Sequence, residues 1–127
     1  MVNKGDEPSR FLFDTNAILY FLGGALADPL PKGRFWISVI TEIELLSYPS
    51  LTSEEEAKIK DLFSDIDIIG LTSTIKEEAI TLRRHKNLKV PDAIIAASAK
   101  TLQAILLTND RSMNNLPGIS IQALRLR

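Results

Sequence analysis

The chain has 127 residues, of which 45% are hydrophobic and 24% are charged, a composition typical of one globular domain. It contains no cysteine and one histidine, which excludes disulfides, thiolate catalysis and zinc sites built on cysteine or several histidines. The net charge of −1 excludes a global basic field for nucleic acid, and no apolar run is long enough to span a bilayer, so we expect a cytoplasmic protein without membrane contact.

Apolar runs alternate with helical patterns along the chain. Residues 1–9 are polar and predict a disordered lead before one domain at residues 10–127. In chain order, the predicted elements are a strand at 11–13, a helix at 17–22, a strand at 35–37, a helix at 38–47, a helix from Thr52 or Ser53 to 63, a strand at 66–71, a helix from Ser73 or Thr74 to 86, a helix at 91–102, and strands at 104–107 and 119–121. Because the strands are almost continuously apolar, the pattern predicts an α/β fold: a three-layer α/β/α arrangement around a five-stranded parallel sheet.

Three acidic residues fall where such a sheet would bring them together. Asp14 follows the first strand, Asp110 follows the fourth strand, and Asp92 lies in the first turn of the helix that leads into the fourth strand. The C-terminal ends of parallel strands share one edge, where ligands bind in open α/β sheets. Each residue also has a purely local interpretation: Asp14 as a helix N-cap, Asp92 as a partner of the helix dipole, and Asp110 as part of a turn.

A fourth acid comes from the helix at 38–47, which offers both Glu42 and Glu44. The two side chains project about 200° apart around a helix, so at most one of them faces the cleft. Each lies about a quarter-turn from the apolar stripe, and periodicity therefore does not choose between them.

Several carboxylates that converge at one edge repel each other unless a cation neutralises them. Oxygen ligands without cysteine or histidine suit a hard ion, Mg²⁺ or Mn²⁺. Because such ions bind phosphate groups and activate water, the residues favour phosphodiester hydrolysis as the reaction class.

Charge is unevenly distributed along the chain. Residues 54–67 carry six acidic residues and two lysines, which favours a solvated helix face. Residues 83–89 carry two arginines and two lysines and no acid. These four residues (Arg83, Arg84, Lys86 and Lys89) form either another solvated face or a surface that binds the phosphate groups of a substrate.

Four segments of the chain resemble the acidic motifs of PIN-domain ribonucleases, and most closely those of the VapC-type toxins of bacterial toxin–antitoxin pairs. They are Asp-Thr-Asn at 14–16, Ser-Val-Ile-Thr-Glu-Ile-Glu-Leu at 38–45, Pro-Asp-Ala-Ile-Ile-Ala-Ala-Ser-Ala at 91–99, and Leu-Leu-Thr-Asn-Asp at 106–110. The resemblance implies an acidic quartet of Asp14, Glu44, Asp92 and Asp110, and it selects Glu44 because the glutamate of the family stands three residues after the threonine, here Thr41. It further implies a five-stranded parallel sheet, Mg²⁺-dependent RNA cleavage, a homodimer, and a small antitoxin protein that blocks the cleft.

Polar residues beside the acids are expected to orient the carboxylates through hydrogen bonds. These residues are Thr15, Asn16, Thr108 and Asn109. The chain departs from many relatives at Ser112 and Met113, where those carry a further acid and an aromatic residue, and at Pro49, where those carry a glycine. The first departure argues against an additional metal ligand after Asp110.

Other enzymes built on a doubly wound sheet fit these residues less well than a ribonuclease does. A phosphatase with an aspartyl nucleophile typically has a second acid two residues after the first, where this chain has Asn16. A phosphorylated receiver domain requires paired acids and a lysine that the chain lacks. The alternative of another class is a catalytically silent PIN-like domain that binds RNA or a protein partner, and it is disfavoured because all four acids are present.

Overall fold

A computed structural model of the protein describes residues 7–127, so the first six residues of the predicted disordered lead lie outside the described part. The strands are β1 (Arg10–Phe13), β2 (Arg34–Ser38), β3 (Asp67–Ile69), β4 (Ile105–Leu107) and β5 (Ile121–Gln122). The helices are α1 (Thr15–Leu22), α2 (Val39–Leu46), α3 (Ser53–Phe63), α4 (Ser73–His85) and α5 (Val90–Leu102). A short 3₁₀ turn spans Arg111–Met113.

The five strands form one sheet in the order β3-β2-β1-β4-β5, and every pairing is parallel. The central strand β1 pairs with β2 on one side and with β4 on the other. Phe13 stands opposite both Ile37 and Leu107 in these two pairings. The direction of the strand order therefore reverses between β1 and β4, which is where open α/β sheets bind ligands.

Apolar side chains cover both faces of the sheet. Along β1, Phe11 and Phe13 pack with α1, α2 and α3, whereas Leu12 packs with the core of α4 and α5. This alternation is the two-residue period of a strand, and each side chain is buried on its own face. The predicted three-layer α/β/α fold with a five-stranded parallel sheet is confirmed.

The element boundaries differ from the predicted ones at a few places. Helix α4 is capped by Thr72, whose hydroxyl accepts a hydrogen bond from the N–H of Ile75, rather than by Ser73 or Thr74. The fifth strand lies two residues later than predicted at its start, because Leu106 pairs with Ile121. In the described part of the chain, none of the helices is long and apolar enough to cross a membrane.

Candidate active site

The acidic residues singled out from the sequence lie along the C-terminal edge of the sheet. Asp14 directly follows β1, Asp110 follows β4 by three residues, Asp92 lies in the first turn of α5, and Glu44 lies on α2. The first two belong to neighbouring strands at the point where the strand order reverses. This edge therefore receives side chains from four separate segments of the chain.

Asp14 is the most buried of the four acids, and the space that they border at this edge is called the cleft. Its side chain is only 6% exposed, and it caps α1 by accepting a hydrogen bond from the N–H of Ala17 at 2.7 Å. The other carboxylate oxygen accepts a hydrogen bond from the hydroxyl of Thr108, which is itself buried. Burial raises the pKa of Asp14, and the negative charges of Asp110 and Glu44 act in the same direction, whereas the two hydrogen bonds oppose the rise. Asp14 is therefore both the N-cap of α1 and one of the four acids at the cleft.

Asp92 is half-buried in the first turn of α5, close to the other acids. No side chain caps this helix, which begins at Val90 after the backbone of Lys89. Burial raises the pKa of Asp92, and the charges of Asp110, Asp14 and Glu44 raise it further, in that order. The ammonium group of Lys89 opposes the rise, so this lysine lies near the cleft.

Glu44 and Glu42 have different surroundings. The carboxylate of Glu44 accepts a hydrogen bond from the hydroxyl of Thr15 at 2.8 Å, and that hydroxyl lies 3.0 Å from the hydroxyl of Thr41. The charge of Glu44 acts on both Asp14 and Asp92, whereas that of Glu42 acts on neither. The contacts therefore place Glu44, rather than Glu42, beside the other acids. The signal in the sequence for Thr41 is its spacing three residues before Glu44, which places the two side chains on one face of α2.

Asp110 lies at the open rim of the cleft. Its side chain is exposed, and one oxygen accepts a hydrogen bond from the N–H of Ser112 at 2.9 Å, which starts the 3₁₀ turn. The N–H of Asp110 donates to the hydroxyl of Thr108 at 3.0 Å. Thr108 therefore contacts two of the four acids, by donating to Asp14 and accepting from Asp110.

The donor set fits a hard divalent cation, since it consists of carboxylates with hydroxyls nearby. Each acid whose pKa is raised is raised partly by the charges of the others, and a cation would relieve that repulsion. Among residues 7–127, no three carboxylates lie close enough together to hold an ion in the positions that they occupy.

Two of the polar residues expected to orient the carboxylates have other surroundings. The amide group of Asn109 donates to the carbonyl of Leu124 at 3.0 Å and accepts from the N–H of the same residue at 2.6 Å. Asn109 therefore fastens the segment after β5 instead of orienting an acid. Asn16 is exposed, and within residues 7–127 its side chain makes no hydrogen bond to a carboxylate of the cleft.

The basic residues lie around the junction of α4 and α5. All four are exposed, and they end α4 or immediately precede α5. Arg83 is partly occupied, because its Nε donates to the carbonyl of Leu88 at 3.0 Å. Arg83 and Arg84 also border an apolar groove of about 560 Å³ between the two helices. Lys89 is the one of the four whose charge reaches Asp92.

Comparison with known proteins identifies the fold and the family. The family model described as "PIN domain" matches residues 11–119. A toxin–antitoxin complex from Klebsiella pneumoniae is 30% identical to the chain with a TM-score of 0.72, and the match covers 85% of this chain and 93% of that one. DNA-bound VapBC from Salmonella typhimurium gives a TM-score of 0.77 at 23% identity, with 91% and 98% of the two chains covered.

VapBC2 from Rickettsia felis, solved with a DNA fragment from its promoter, gives a TM-score of 0.76 at 18% identity, with 91% and 98% covered. At 23% and 18% identity, the similarity to these two VapBC structures shows the fold alone. The search of curated protein sequences returned no match. The resemblance to PIN domains identified from the sequence motifs is confirmed by the family model, and the chain belongs to that family.

Proposed function

Because the chain belongs to the PIN domain family, we propose that it is a metal-dependent endoribonuclease that acts as the toxin of a VapBC-type toxin–antitoxin pair, with residues 10–127 as its nuclease domain. The observation that carries the proposal is that four separate segments of the chain bring Asp14, Glu44, Asp92 and Asp110 to one edge of the sheet. Burial raises the pKa of both Asp14 and Asp92; Asp110 and Glu44 raise the pKa of Asp14 further, and the same two acids together with Asp14 raise that of Asp92. Acids clustered in this way lower the stability of the fold, and a PIN-like domain that catalyses no reaction would gain nothing from them.

In this proposal Asp14, Glu44, Asp92 and Asp110 hold Mg²⁺, or Mn²⁺ in its place. When bound, the ion supplies compensation of the carboxylate charge, polarisation of the phosphodiester and activation of a water for in-line attack. The chain's own contribution is to fix the carboxylates. Thr108 orients Asp14 and the backbone of Asp110, and Thr15 orients Glu44.

Binding of RNA is assigned to the basic residues that flank α5. Lys89 precedes Asp92 by three residues and lies near it, so a phosphate bound by this lysine would lie beside the cleft. Arg84 and Lys86 are exposed close by, at the end of α4. Phosphate contacts of this kind position the substrate without reading its sequence.

Exposed apolar surface supports the protein partners of the proposal, a small antitoxin and a second copy of the chain. On α2 and just after it, Ile43 is 57% exposed and Tyr48 is 50% exposed, one residue before and four residues after Glu44 in the sequence. A partner that covers this surface would also cover the cleft, as an inhibitory antitoxin must. A separate apolar surface at the α4–α5 groove includes Ile80 and Val90, which are 41% and 51% exposed, and a second copy is proposed to cover it.

The test is cleavage of single-stranded RNA by the purified protein in millimolar Mg²⁺ and in EDTA. We expect cleavage that EDTA abolishes and that Asp92→Asn reduces at least 100-fold, since it removes one of the proposed ligands. The matched control is Asp61→Asn, the same change at an exposed acid of α3, which should retain full activity. Cleavage that persists in EDTA, or that is unchanged in Asp92→Asn, would contradict the proposal.

The spacing of the carboxylates favours a second candidate, a PIN-like domain that binds RNA or a protein without cutting, because no three acids among residues 7–127 are placed to hold an ion. The same experiment distinguishes the two. Binding of RNA with no cleavage in Mg²⁺ or Mn²⁺ would select the silent domain.

A further inference from the structure

Two threonine hydroxyls connect the interior of the protein to Glu44. Thr15 begins α1 directly after Asp14, and Thr41 lies on α2 three residues before Glu44. The hydroxyl oxygens of the two threonines are 3.0 Å apart, and the hydroxyl of Thr15 is 2.8 Å from Oε1 of Glu44. The three groups form a continuous hydrogen-bonded row from the core to the cleft.

The direction of this row is fixed by the chemistry of its end. An ionised carboxylate only accepts hydrogen bonds, so Thr15 donates its single hydroxyl hydrogen to Glu44. With that hydrogen used, the hydroxyl of Thr15 can only accept from its other neighbour. Thr41 must therefore donate to Thr15, and Thr15 must donate to Glu44.

The inner member of the row is completely enclosed. Thr41 has 0% exposure, and Leu45 on the same helix is likewise buried in the apolar core. A buried hydroxyl costs free energy unless it is hydrogen-bonded, and its χ1 has few alternatives in a helix. Glu44, by contrast, is exposed and would otherwise sample several rotamers. Through these hydrogen bonds, the fixed side chain of Thr41 in the core restricts the exposed side chain of Glu44 at the surface.

We propose that Thr41 is a positioning residue for the metal site: it holds the hydroxyl of Thr15, and through it keeps the carboxylate of Glu44 on the side of α2 that faces the other acids. This inference rests on the proposed function, in which Glu44 is a ligand of Mg²⁺. Within residues 7–127, the hydrogen bond of Thr41 goes to Thr15 and not to any of the four carboxylates. This role also explains why a polar side chain occupies a fully buried position on α2.

The test compares Mg²⁺ affinity, measured by calorimetric titration, in the wild type and in two variants of Thr41. Thr41→Val keeps the shape of the side chain and removes the donor, and we expect Mg²⁺ binding that is about 10-fold weaker, the lower end of effects seen for residues that orient metal ligands. Thr41→Ser restores the hydroxyl and should return the affinity to within about 2-fold of the wild type, since the hydroxyl is the group that matters. The matched control is Thr81→Val on α4, whose hydroxyl bonds only to the carbonyl of Glu77 among the described residues, and it should bind Mg²⁺ like the wild type.

A second measurement separates positioning from packing. In a Glu44→Gln background, Thr41→Val should have no further effect on Mg²⁺ affinity, because the group that it orients is no longer a charged ligand. Melting curves in EDTA show whether each variant is folded before titration. If Thr41→Val does not fold, Thr15→Val breaks the same row at a half-buried position and should give the same weakening.

Each outcome has a distinct meaning. Weakening in Thr41→Val with recovery in Thr41→Ser supports the inference. Equal affinity in wild type and Thr41→Val overturns it and leaves the proposed function intact, as does equal weakening in the valine and serine variants, which would indicate packing. Absence of Mg²⁺ binding by the wild type would contradict the proposed function itself and the inference with it.

Discussion

Thr108 donates a hydrogen bond to the buried carboxylate of Asp14, although the two residues stand 94 positions apart in the sequence. The contact follows from the pairing of β1 with β4, which sets Phe13 opposite Leu107 and lets the N–H of Asp14 donate to the carbonyl of Leu107 at 3.1 Å. Asp14 and Thr108, the residues that directly follow β1 and β4, are therefore neighbours. The register of the two central strands thereby determines the environment of the most buried carboxylate of the cleft.

The hydrogen bond from Thr108 stabilises the ionised form of Asp14. We predict that Thr108→Val lowers the free energy of unfolding at pH 7 by about 1–3 kcal/mol, the usual cost of leaving a buried polar group without its partner. Urea unfolding in EDTA measures the change. Thr108→Ser retains the hydroxyl and should lose less. A valine variant as stable as the wild type would mean that solvent replaces the lost donor at Asp14.

Asp92 offers a test of the repulsion within the cleft. Burial and the neighbouring acids raise its pKa above the ordinary value of 3.8. Between 3.8 and the raised value, the native state holds more protons than the unfolded chain, so the contribution of Asp92 to stability falls as pH rises through that window. We predict that Asp92→Asn melts at a higher temperature than the wild type at pH 7 in EDTA, because the neutral amide removes the penalty.

The same comparison at lower pH is the control. As pH falls towards 3.8, the wild-type carboxyl group becomes neutral and the difference in melting temperature should shrink. Other carboxylates also titrate in this pH range, such as Asp28 and Glu55, whose pKa values are lowered by hydrogen bonds from Arg125 and Thr52. Their effect is the same in both proteins, so it cancels in the difference between the two melting temperatures. A difference that is constant with pH would show that the titration of Asp92 is not its source.

Glu44 and Glu42 form a natural pair of variants on one helix. We predict that Glu44→Gln abolishes Mg²⁺-dependent cleavage of RNA, while Glu42→Gln retains most of it, because only Glu44 is held by Thr15 beside the other acids. Initial rates of cleavage on one labelled RNA measure both. Equal loss in the two variants would place both carboxylates in the reaction and contradict this assignment.

The basic residues beside α5 should determine how RNA binding depends on salt. We predict that Arg84→Ala combined with Lys89→Ala weakens binding to all RNA sequences and reduces the slope of log K against log salt by about 1.4, from roughly 0.7 per phosphate contact on single strands. Binding is measured with a catalytically inactive variant at several salt concentrations. Lys32→Ala, an exposed lysine far from this run in the sequence, should leave the slope unchanged. If the double variant keeps the wild-type slope, these residues form a solvated face.

The fold could be predicted from the sequence because hydrophobic periodicity is a local signal, and the order of the elements that it predicts is consistent along the whole chain. Apolar runs predicted each strand within a few residues, and the parallel arrangement followed from the alternation with helices. Errors occurred where tertiary pairing decides the boundary. The start of β5 is set by its register against Leu106, and no local pattern around Ile119 could have given that.

The surroundings of the candidate site were less accessible to prediction. Asn109 stands between Thr108 and Asp110, so its position in sequence suggested an orienting role, but its hydrogen bonds go to the backbone of Leu124. The choice between Glu42 and Glu44 came from the resemblance and not from helical periodicity. The role of Thr41 depended on a contact with Thr15, 26 residues away, and only the packing of α1 against α2 brings them together.

The order in which the acids occur along the chain has a consequence for biosynthesis. Asp14 is translated early, but it acquires Thr108 and the neighbouring Asp110 only when β4 has been made and has inserted beside β1. A parallel pairing of this kind closes late, because its two strands are far apart in sequence. Nascent chains on the ribosome, and fragments from interrupted translation, therefore lack the assembled cleft. The carboxylate cluster forms only in chains that have been synthesised beyond β4.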